Sequence, residues 1–531
     1  MHKRNIPSPR LPRPQLPQLH LTLPRLTLPR LTLPRPLALS RLPFVLGAST
    51  FLTLACASPE EFAEDTDSAG DETGDFSGAD STDSTDSTDS GEADTGDSTD
   101  SGEAPSVDPD LLSFTVNGET EQVTIDEASV VTLHAEVTGE VERVDFYDLE
   151  RGELIASDVE APFEAFWIAA SVADNGPRTF QAVAIAEDID DSEAVAVSVE
   201  LPERGILRWT LELSELSTTP DLVATPGGAA IVAGDQLGTI ARDGELTWAA
   251  SLPFAAEALA LDTATGEFLV AGIDDSSLNL AGYSRVGEQR WVSDIGNTGD
   301  LNLEIEDIVV HDGRFALQAS WGIGEPLLFM FDTKGPGEKP HISWYEAPGS
   351  VEAVETRFGQ LAFDDAGDLL APMQETILDD DDEPHTHSSV VRYDLDGEMS
   401  SVYESNDAGT SLHAVAVSDG QLFVGASASG EGTLLRLDAD GQLLSSIGNL
   451  GESTLRLRAD RGGVVLGAPQ AQGADMFIGH VDGLGEVEWL HTYVDEQVEG
   501  EEVLEIDVDE LGYVYVLTRA GEGFRVRSLH P

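Results

Sequence analysis

The chain has 531 residues, a formal net charge of −71 and 40% hydrophobic residues. This length predicts several domains, and the hydrophobic content is high enough for each domain to bury a core. The acidic excess repels phosphate backbones, which excludes nucleic acid as a partner and favours cationic partners.

Residues 1–55 have the features of an export signal. The apolar run 42–55 ends at Cys56, the only cysteine of the chain. That run is too short to cross a bilayer of ~30 Å, but it has the length of a secretory hydrophobic region, and basic residues without acidic ones precede it. The repeats of Leu-Thr-Leu-Pro-Arg in 21–35 make this Arg/Pro-rich region unusually long. A proline-rich ligand for a partner protein is the alternative interpretation.

The residues before Cys56 read Thr53-Leu54-Ala55. This segment resembles the lipobox of bacterial lipoproteins. The resemblance implies cleavage before Cys56, acylation of its thiol and amine, and membrane attachment through the acyl chains. Ala57 in the next position favours the outer membrane, on its periplasmic or its surface side. The alternative is that Cys56 is a small buried apolar residue.

Residues 56–104 are expected to form a tether. The segment 60–103 consists of Asp, Glu, Ser, Thr, Gly and Ala with two phenylalanines and no basic residue. Such a composition cannot bury enough apolar surface to fold, and its like charges extend it. We therefore predict a disordered acidic spacer between the membrane and the folded domains.

Residues 105–203 contain short alternating apolar runs, which predict a β-sandwich. The predicted strands are 112–116, 130–137, 141–147, 163–167, 178–186 and 194–201. The runs 144–147, 161–167 and 175–184 resemble strands of bacterial immunoglobulin-like modules, which implies a stalk or spacer domain.

Residues 204–531 repeat, which predicts a β-propeller. The seven copies of a strand–turn–strand motif are Leu222–Gly234, Leu259–Gly272, Ile308–Ser320, Gln360–Pro372, Ala414–Ser427, Leu455–Ala468 and Glu505–Thr518. Hairpins with Asp-Gly or similar turns lie between them. We predict seven blades, although six or eight also fit, and closure by pairing of 204–209 with 524–529. Asp509–Val516 resembles the repeat of quinoprotein-like and related bacterial propellers.

The sequence identifies no catalytic residue and no cofactor site. Ala260–Gly266 matches the beginning of a quinoprotein motif without its tryptophan, and we interpret it as a tight turn. Asp382, His385 and His387 form the one candidate site for a divalent cation, with a solvated exposed loop as the alternative interpretation.

The functional hypothesis is a monomeric, non-enzymatic lipoprotein of the cell envelope. In it a propeller binds a protein or polysaccharide ligand at one face. The alternatives are a degenerate quinoprotein-type or hydrolytic enzyme, and a scaffold for the assembly of outer-membrane proteins. The loops expected to carry function are 333–343, 377–388 and 494–502.

Acylation of Cys56 is directly testable. Cells that express the full chain and are fed an alkynyl fatty acid are expected to label it, and the Cys56→Ala variant is expected to lose the label because its thiol is the acceptor. The measurement is in-gel detection after coupling of the alkyne to a dye. Label that persists in the variant contradicts the lipoprotein hypothesis.

Overall fold

The structure is a computed structural model that describes residues 108–531 except for short internal segments. Those segments are 187–188, 214–215, 217, 275–276, 298–302, 322–324, 334, 336, 350–352, 379–383, 406–408, 453–454, 470–474 and 495–500. The predicted signal peptide, Cys56 and the predicted tether lie outside the described residues.

The described residues are almost entirely β-strand, which confirms the all-β expectation. Besides 35 strands they contain a single turn of 3-10 helix at Val172–Asp174. Within this part of the chain no helix is both long and apolar enough to span a bilayer.

Residues 110–199 form two sheets around one core. The strands are β1 (Asp110–Val116), β2 (Val123–Ile125), β3 (Ser129–Thr138), β4 (Arg143–Asp148), β5 (Glu153–Asp158), β6 (Phe163–Ala169), β7 (Gly176–Ala186) and β8 (Ile189–Val199). One sheet has the order β1-β3-β6 and the other β2-β8-β7-β4-β5. Phe114, Phe146 and Phe180 are buried between them. The apolar pattern does not predict strands β2 and β5, because β2 has three residues and β5 is mostly solvent-accessible.

Residues 207–529 form the remaining sheets. Their strands are β9 (Leu207–Leu213), β10 (Asp221–Thr225), β11 (Gly228–Ala241), β12 (Leu246–Asp262), β13 (Glu267–Asp274), β14 (Ser277–Ser284), β15 (Gln289–Asn297), β16 (Leu303–His311), β17 (Arg314–Trp321), β18 (Glu325–Asp332), β19 (His341–Glu346), β20 (Ala353–Phe358), β21 (Ala362–Phe363), β22 (Leu369–Leu378), β23 (Pro384–Tyr393), β24 (Met399–Glu404), β25 (Thr410–Ser418), β26 (Gln421–Ala428), β27 (Glu431–Leu437), β28 (Leu443–Glu452), β29 (Arg456–Asp460), β30 (Gly463–Pro469), β31 (Asp475–Asp482), β32 (Val487–Val494), β33 (Glu501–Val508), β34 (Val514–Ala520) and β35 (Gly523–Leu529).

β11 supplies the second and third strands of one blade, and β12 supplies the last strand of that blade and the first strand of the next. The six-stranded sheet β10–β15 therefore contains two blades. β11 folds back on itself: a Cβ on Gly228 would lie 1.9 Å from the carbonyl oxygen of Ile240. Its first half pairs with β10 and its second half with the start of β12. The end of β12 pairs with β13 and forms the inner strand of the second blade.

Seven blades follow from the packing. Blade 1 is β10, β11 and the start of β12, and blade 2 is the rest of β12 with β13–β15. Blades 3 to 6 are β16–β19, β20–β24, β25–β28 and β29–β32, and blade 7 is β33–β35 with β9. Among the described residues seven apolar clusters each join one blade to the next, and one of them joins blade 7 to blade 1. The ring is therefore closed.

The ring closes through strand pairing. β9 and β35 run antiparallel, from the pair Leu207–Leu529 to the pair Leu213–Phe524. The ladder extends to Leu213, beyond the predicted limit of residue 209. It does so because Leu213 packs with Phe524 and Val526 in the core between blades 7 and 1.

The propeller has two unlike faces. The turn face carries the tight turns between first and second strands and between third and fourth strands, such as 262–267 and 284–289. The connection face is opposite, where each blade leads into the next, as between Asn297 and Leu303.

The Asp-Gly turns predicted from the sequence also contact the preceding blade. Gly441 has a φ of +80°, and a Cβ there would lie 1.9 Å from the carbonyl oxygen of Val402 in the outer strand of blade 4. Gly430 has a similar φ of +85°, but no atom lies within 4 Å of the place that a Cβ would occupy there. A substitution at Gly430 therefore tests backbone strain alone, whereas a substitution at Gly441 tests backbone strain together with the steric contact.

We expect Gly430→Ala to reduce the free energy of unfolding by about 1–2 kcal/mol, the cost of a left-handed alanine. Gly441→Ala is expected to cost clearly more, because it also forces blade 5 away from blade 4. Denaturant unfolding of both variants at constant pH measures the difference. Equal losses would contradict the contact between the blades.

Candidate functional site

The central channel is lined by equivalent positions of the seven inner strands. It forms a cavity of about 280 Å³. Equivalent residues at or beside the start of the apolar motif of each repeat form the layer nearer the connection face. They are Asp221, Ala258, Asp307, Gln360, Ala414, Arg456 and Glu505. Two residues further along each strand lies a second layer, which is apolar except for Arg458 and Asp507.

A recurrent β-bulge positions the first layer. In blades 2, 3, 5 and 7 the register between the inner strand and its neighbour shifts by one residue immediately before the layer. The extra residues are Glu257, Glu306, His413 and Leu504. A bulge bends its strand and re-aims the following side chain, and in blades 3 and 7 that side chain, Asp307 or Glu505, lines the channel. Sequence reasoning missed these bulges, because the apolar pattern is unchanged on either side of them.

Carboxylates of one blade accept hydrogen bonds from the main chain of another. Oδ2 of Asp221 accepts from the amide N–H of Leu259 at 2.7 Å, and its Oδ1 accepts from the N–H of Leu222 at 2.9 Å. Asp307 in blade 3 accepts from the N–H of Leu361 in blade 4 at 2.9 Å. These bonds satisfy inner-strand donors that face the channel and would otherwise lack a partner.

Two further residues complete the linkage of the inner strands. Asp507 accepts from the N–H of Ala224 in blade 1 at 2.7 Å and pairs with Nε of Arg458 in blade 6 at 2.5 Å. The side-chain oxygen of Gln360 in blade 4 accepts from the N–H of Leu457 in blade 6 at 3.1 Å. Gln360 can reach past blade 5 because that blade contributes only Ala414 to this layer.

The channel raises the pKa values of Asp221 and Glu505. Burial raises the pKa of Asp221 to about 7, and nearby Asp307 and Asp507 contribute in the same direction. Burial raises the pKa of Glu505 to about 8; Asp221 adds to this increase, and Arg456 opposes it. These side chains keep partial contact with solvent in the channel, but protein surrounds them on all sides. At neutral pH the cluster therefore holds protons that exposed carboxylates would lose.

Glu505 differs from the other channel acids. Asp221, Asp307 and Asp507 are each held by main-chain N–H groups, whereas the side chain of Glu505 makes no hydrogen bond among the described residues. Its carboxyl group is thus the channel acid best placed to contact a ligand.

No group of three or more His, Cys, Asp and Glu side chains within the described ranges could hold a metal ion. Asp382 lies outside the described residues. His385 and His387 are exposed, but in strand β23 rather than in the expected loop. They pair with Ile377 and Glu375 of β22, because this hairpin continues beyond the usual blade length. The divalent-cation site stays a prediction.

A signal for the channel cluster is present in the sequence. Charged residues stand at or beside the start of the apolar motif in four of the seven repeats, at Asp221, Asp307, Arg456 and Glu505. A half-buried strand that alternates polar and apolar residues has the same pattern. Only the closed ring brings these four side chains together.

No family model and no curated protein matches the chain. Among solved structures it is similar to Sqt1 of Saccharomyces cerevisiae, with 11% identity, a TM-score of 0.38, and coverage of 61% of this chain and 100% of that one. A quinoprotein alcohol dehydrogenase-like protein of Bacteroides thetaiotaomicron has 9% identity, a TM-score of 0.25, and coverage of 64% and 96%. The PQQ-bound aldose sugar dehydrogenase of Streptomyces coelicolor has 13% identity, a TM-score of 0.34, and coverage of 52% and 93%. These similarities concern the fold alone.

The raised pKa values predict a pH-dependent stability. The unperturbed pKa values of Asp221 and Glu505 are 3.8 and 4.5, so the folded state binds more protons than the unfolded state between those values and about 7 and 8. The free energy of unfolding must therefore fall as pH rises through that window.

Asp221→Asn and Glu505→Gln remove the charge, and the new amide oxygen at 221 can still accept the N–H of Leu259. We expect each variant to be more stable than the wild type above about pH 8, on the order of 1 kcal/mol, and less dependent on pH. Denaturant unfolding between about pH 5 and about pH 9 measures this. Exposed Glu522→Gln is the control, and an identical change there would contradict the role of the channel.

Proposed function

We propose that the chain is a cell-envelope lipoprotein, held by acylated Cys56, that displays its propeller as a non-enzymatic binding module on an immunoglobulin-like stalk. The acidic segment 56–104 is its tether, and the sandwich of β1–β8 is its stalk. The ligand is a protein or polysaccharide that docks on the connection face.

The observation that carries this proposal is where the sandwich contacts the propeller. Ala128, between β2 and β3, is buried in the core that joins blades 7 and 1. Its carbonyl oxygen accepts a hydrogen bond from the hydroxyl of Tyr513 at 3.1 Å. Tyr513 ends the turn 509–513, which lies on the turn face. The sandwich therefore covers part of the turn face.

Arginines strengthen this junction. Arg208 at the start of β9 pairs with Glu127 at 3.3 Å, and its guanidinium lies 4.4 Å from the centroid of the Tyr513 ring. Arg242 of blade 1 lies 5.0 Å from the same centroid. Such cation–π contacts stabilise by roughly 0.5–2 kcal/mol each when partly desolvated. The junction therefore combines apolar burial with an ion pair, and two cation–π contacts within the propeller position the ring of Tyr513.

This junction makes the connection face the exposed working surface. The stalk attaches at the opposite face, so a ligand approaching from beyond the propeller meets the connection face first. The charged layer of the channel lies nearer that face and includes Glu505. A ligand that presents an ammonium or guanidinium group at the channel mouth would find carboxylates there, in agreement with the acidic character of the whole chain.

The non-enzymatic assignment is supported by what the channel acids already do. Asp221, Asp307 and Asp507 hold the inner strands together, so these side chains have a structural role in the propeller. A hydrolytic enzyme is the second candidate. It is favoured by one observation, the carboxyl group of Glu505 with a pKa of about 8 inside a cavity. Such a group can act as a general acid near neutral pH.

Binding and catalysis can be separated with one pair of variants. The mature chain with Cys56→Ala is immobilised and incubated with the envelope fraction of the producing bacterium at moderate salt. A specific partner is expected to be retained by this chain and by its Glu522→Gln derivative. At about pH 9, where the carboxyl group of Glu505 is ionised, it should be retained about tenfold less by the Glu505→Gln derivative, because the ligand's cation loses its counter-charge.

The measurement is quantitative mass spectrometry of the retained proteins and glycans. Equal retention by the Glu505→Gln derivative contradicts a binding role for the channel mouth. Turnover of a retained polysaccharide that stops in the Glu505→Gln derivative identifies the hydrolytic alternative instead.

A further inference from the structure

Two arginines of blade 2 differ from the other arginines of the propeller. Arg285 and Arg290 make no hydrogen bond and no ion pair within the described part of the chain. Other arginines of the propeller form ion pairs, donate to main-chain or side-chain oxygens, or lie among the channel carboxylates. In a chain with 99 acidic residues, two adjacent unpaired guanidinium groups need an explanation.

Both arginines line one open cleft on the turn face, with a volume of about 510 Å³. Arg285 lies in the turn between β14 and β15. Arg290 is the extra residue of a β-bulge, since Tyr283 pairs with Gln289 and Gly282 with Trp291. The bulge re-aims the side chain of Arg290 away from the regular strand direction.

The opposite wall of the cleft is the turn between β12 and β13. A Cβ on Gly266 would lie 3.2 Å from Nε of Arg285, so the absence of a side chain there leaves room for the guanidinium group. Thr263 lies at the start of this turn and makes no side-chain hydrogen bond among the described residues. Ser284 is buried, and its hydroxyl accepts from the N–H of Glu288 at 3.1 Å, which leaves its proton free to donate. The cleft therefore offers two guanidinium groups and two hydroxyl donors.

The equivalent positions at the junction with the sandwich are occupied by arginines that have partners. Arg242 occupies in the turn of blade 1 the place that Arg285 occupies in blade 2. Arg208 is the bulged residue of the outer strand of blade 7, as Arg290 is of blade 2. Arg208 pairs with Glu127 of the sandwich, whereas Arg242 packs against Tyr513 and pairs with Asp509 of the propeller itself. The propeller thus engages both positions at one place on its turn face and leaves them open at another.

The donor set favours a phosphate over a carboxylate. One arginine fork can satisfy a carboxylate through two parallel hydrogen bonds. Two forks and two hydroxyls supply more donors than one carboxylate accepts, but they suit the three terminal oxygens of a phosphate monoester. Asp262, Glu267 and Glu288 are the nearby acids, and Glu267 is the cross-strand partner of Ser284. Asp262 accepts from Ala264 and Thr265, and among the described residues neither glutamate is within ion-pair distance of either arginine.

We propose that the cleft between Arg285 and Arg290 is a binding site for a phosphate monoester, carried by a sugar or by a lipid headgroup. This site lies on the turn face, apart from the channel mouth, and does not depend on acylation of Cys56. The acidic surface repels anions at long range, but salt screens that repulsion beyond about 10 Å at 0.1 M, so the contact donors decide the outcome.

The test uses the mature chain with Cys56→Ala and three probes: glucose 6-phosphate, glucose, and vesicles of phosphatidylcholine with or without phosphatidic acid. Calorimetry is expected to detect glucose 6-phosphate but not glucose. The double variant Arg285→Gln/Arg290→Gln is expected to bind about a hundredfold more weakly, at roughly tenfold per arginine. Arg357→Gln, which removes an exposed arginine elsewhere, is the control and should bind as the wild type does.

The vesicle arm distinguishes the source of the phosphate. Binding to phosphatidic acid vesicles that is lost in the double variant assigns the site to a lipid headgroup. Binding to the soluble sugar phosphate alone assigns it to a glycan. The proposal is overturned if the wild type binds no phosphate probe, or if the Arg357→Gln control loses as much as the double variant. A peptide of residues 80–103 that binds in place of the phosphate also overturns it, since the cleft would then serve the chain's own acidic segment.

Discussion

The pairing of β9 with β35 is the constraint on which the propeller depends. Each core between blades needs a blade on both sides, and an open ring would expose the apolar faces of blades 1 and 7 to water. The ladder from Leu207–Leu529 to Leu213–Phe524 removes that exposure and the two free strand edges with it. Because β9 follows the sandwich directly, closure also fixes the sandwich beside blade 7.

Closure creates the channel, and the channel imposes its own requirement. Inner strands point main-chain N–H groups into the channel, and these donors need acceptors. Asp221, Asp307 and Asp507 supply acceptors from neighbouring blades. Burial in the channel, with the neighbouring acids as a smaller contribution, raises the pKa values of Asp221 and Glu505. The same residue position thus links blades and sets the electrostatics of the channel mouth.

The all-β class, the repeat and the Asp-Gly turns could be predicted from the sequence, because each rests on residues close together in the chain. The channel cluster rests on residues far apart in the chain, such as Asp221 and Glu505, and on bulges that leave the apolar pattern intact. Arg290 shows the same limit, since its position as the extra residue of a bulge follows only from the register. For His385 the preceding Pro384 indicates a loop, but the paired strand β22 extends the hairpin past that proline.

The position of β9 also determines how the closed ring responds to a pulling force. β9 is the first strand after the sandwich, so a force that pulls the sandwich away from the propeller travels along β9. The hydrogen bonds to β35 lie across that direction. These hydrogen bonds are therefore loaded together in shear rather than opened one after another. The force that the pairing of Leu207–Leu213 withstands grows with the number of paired residues.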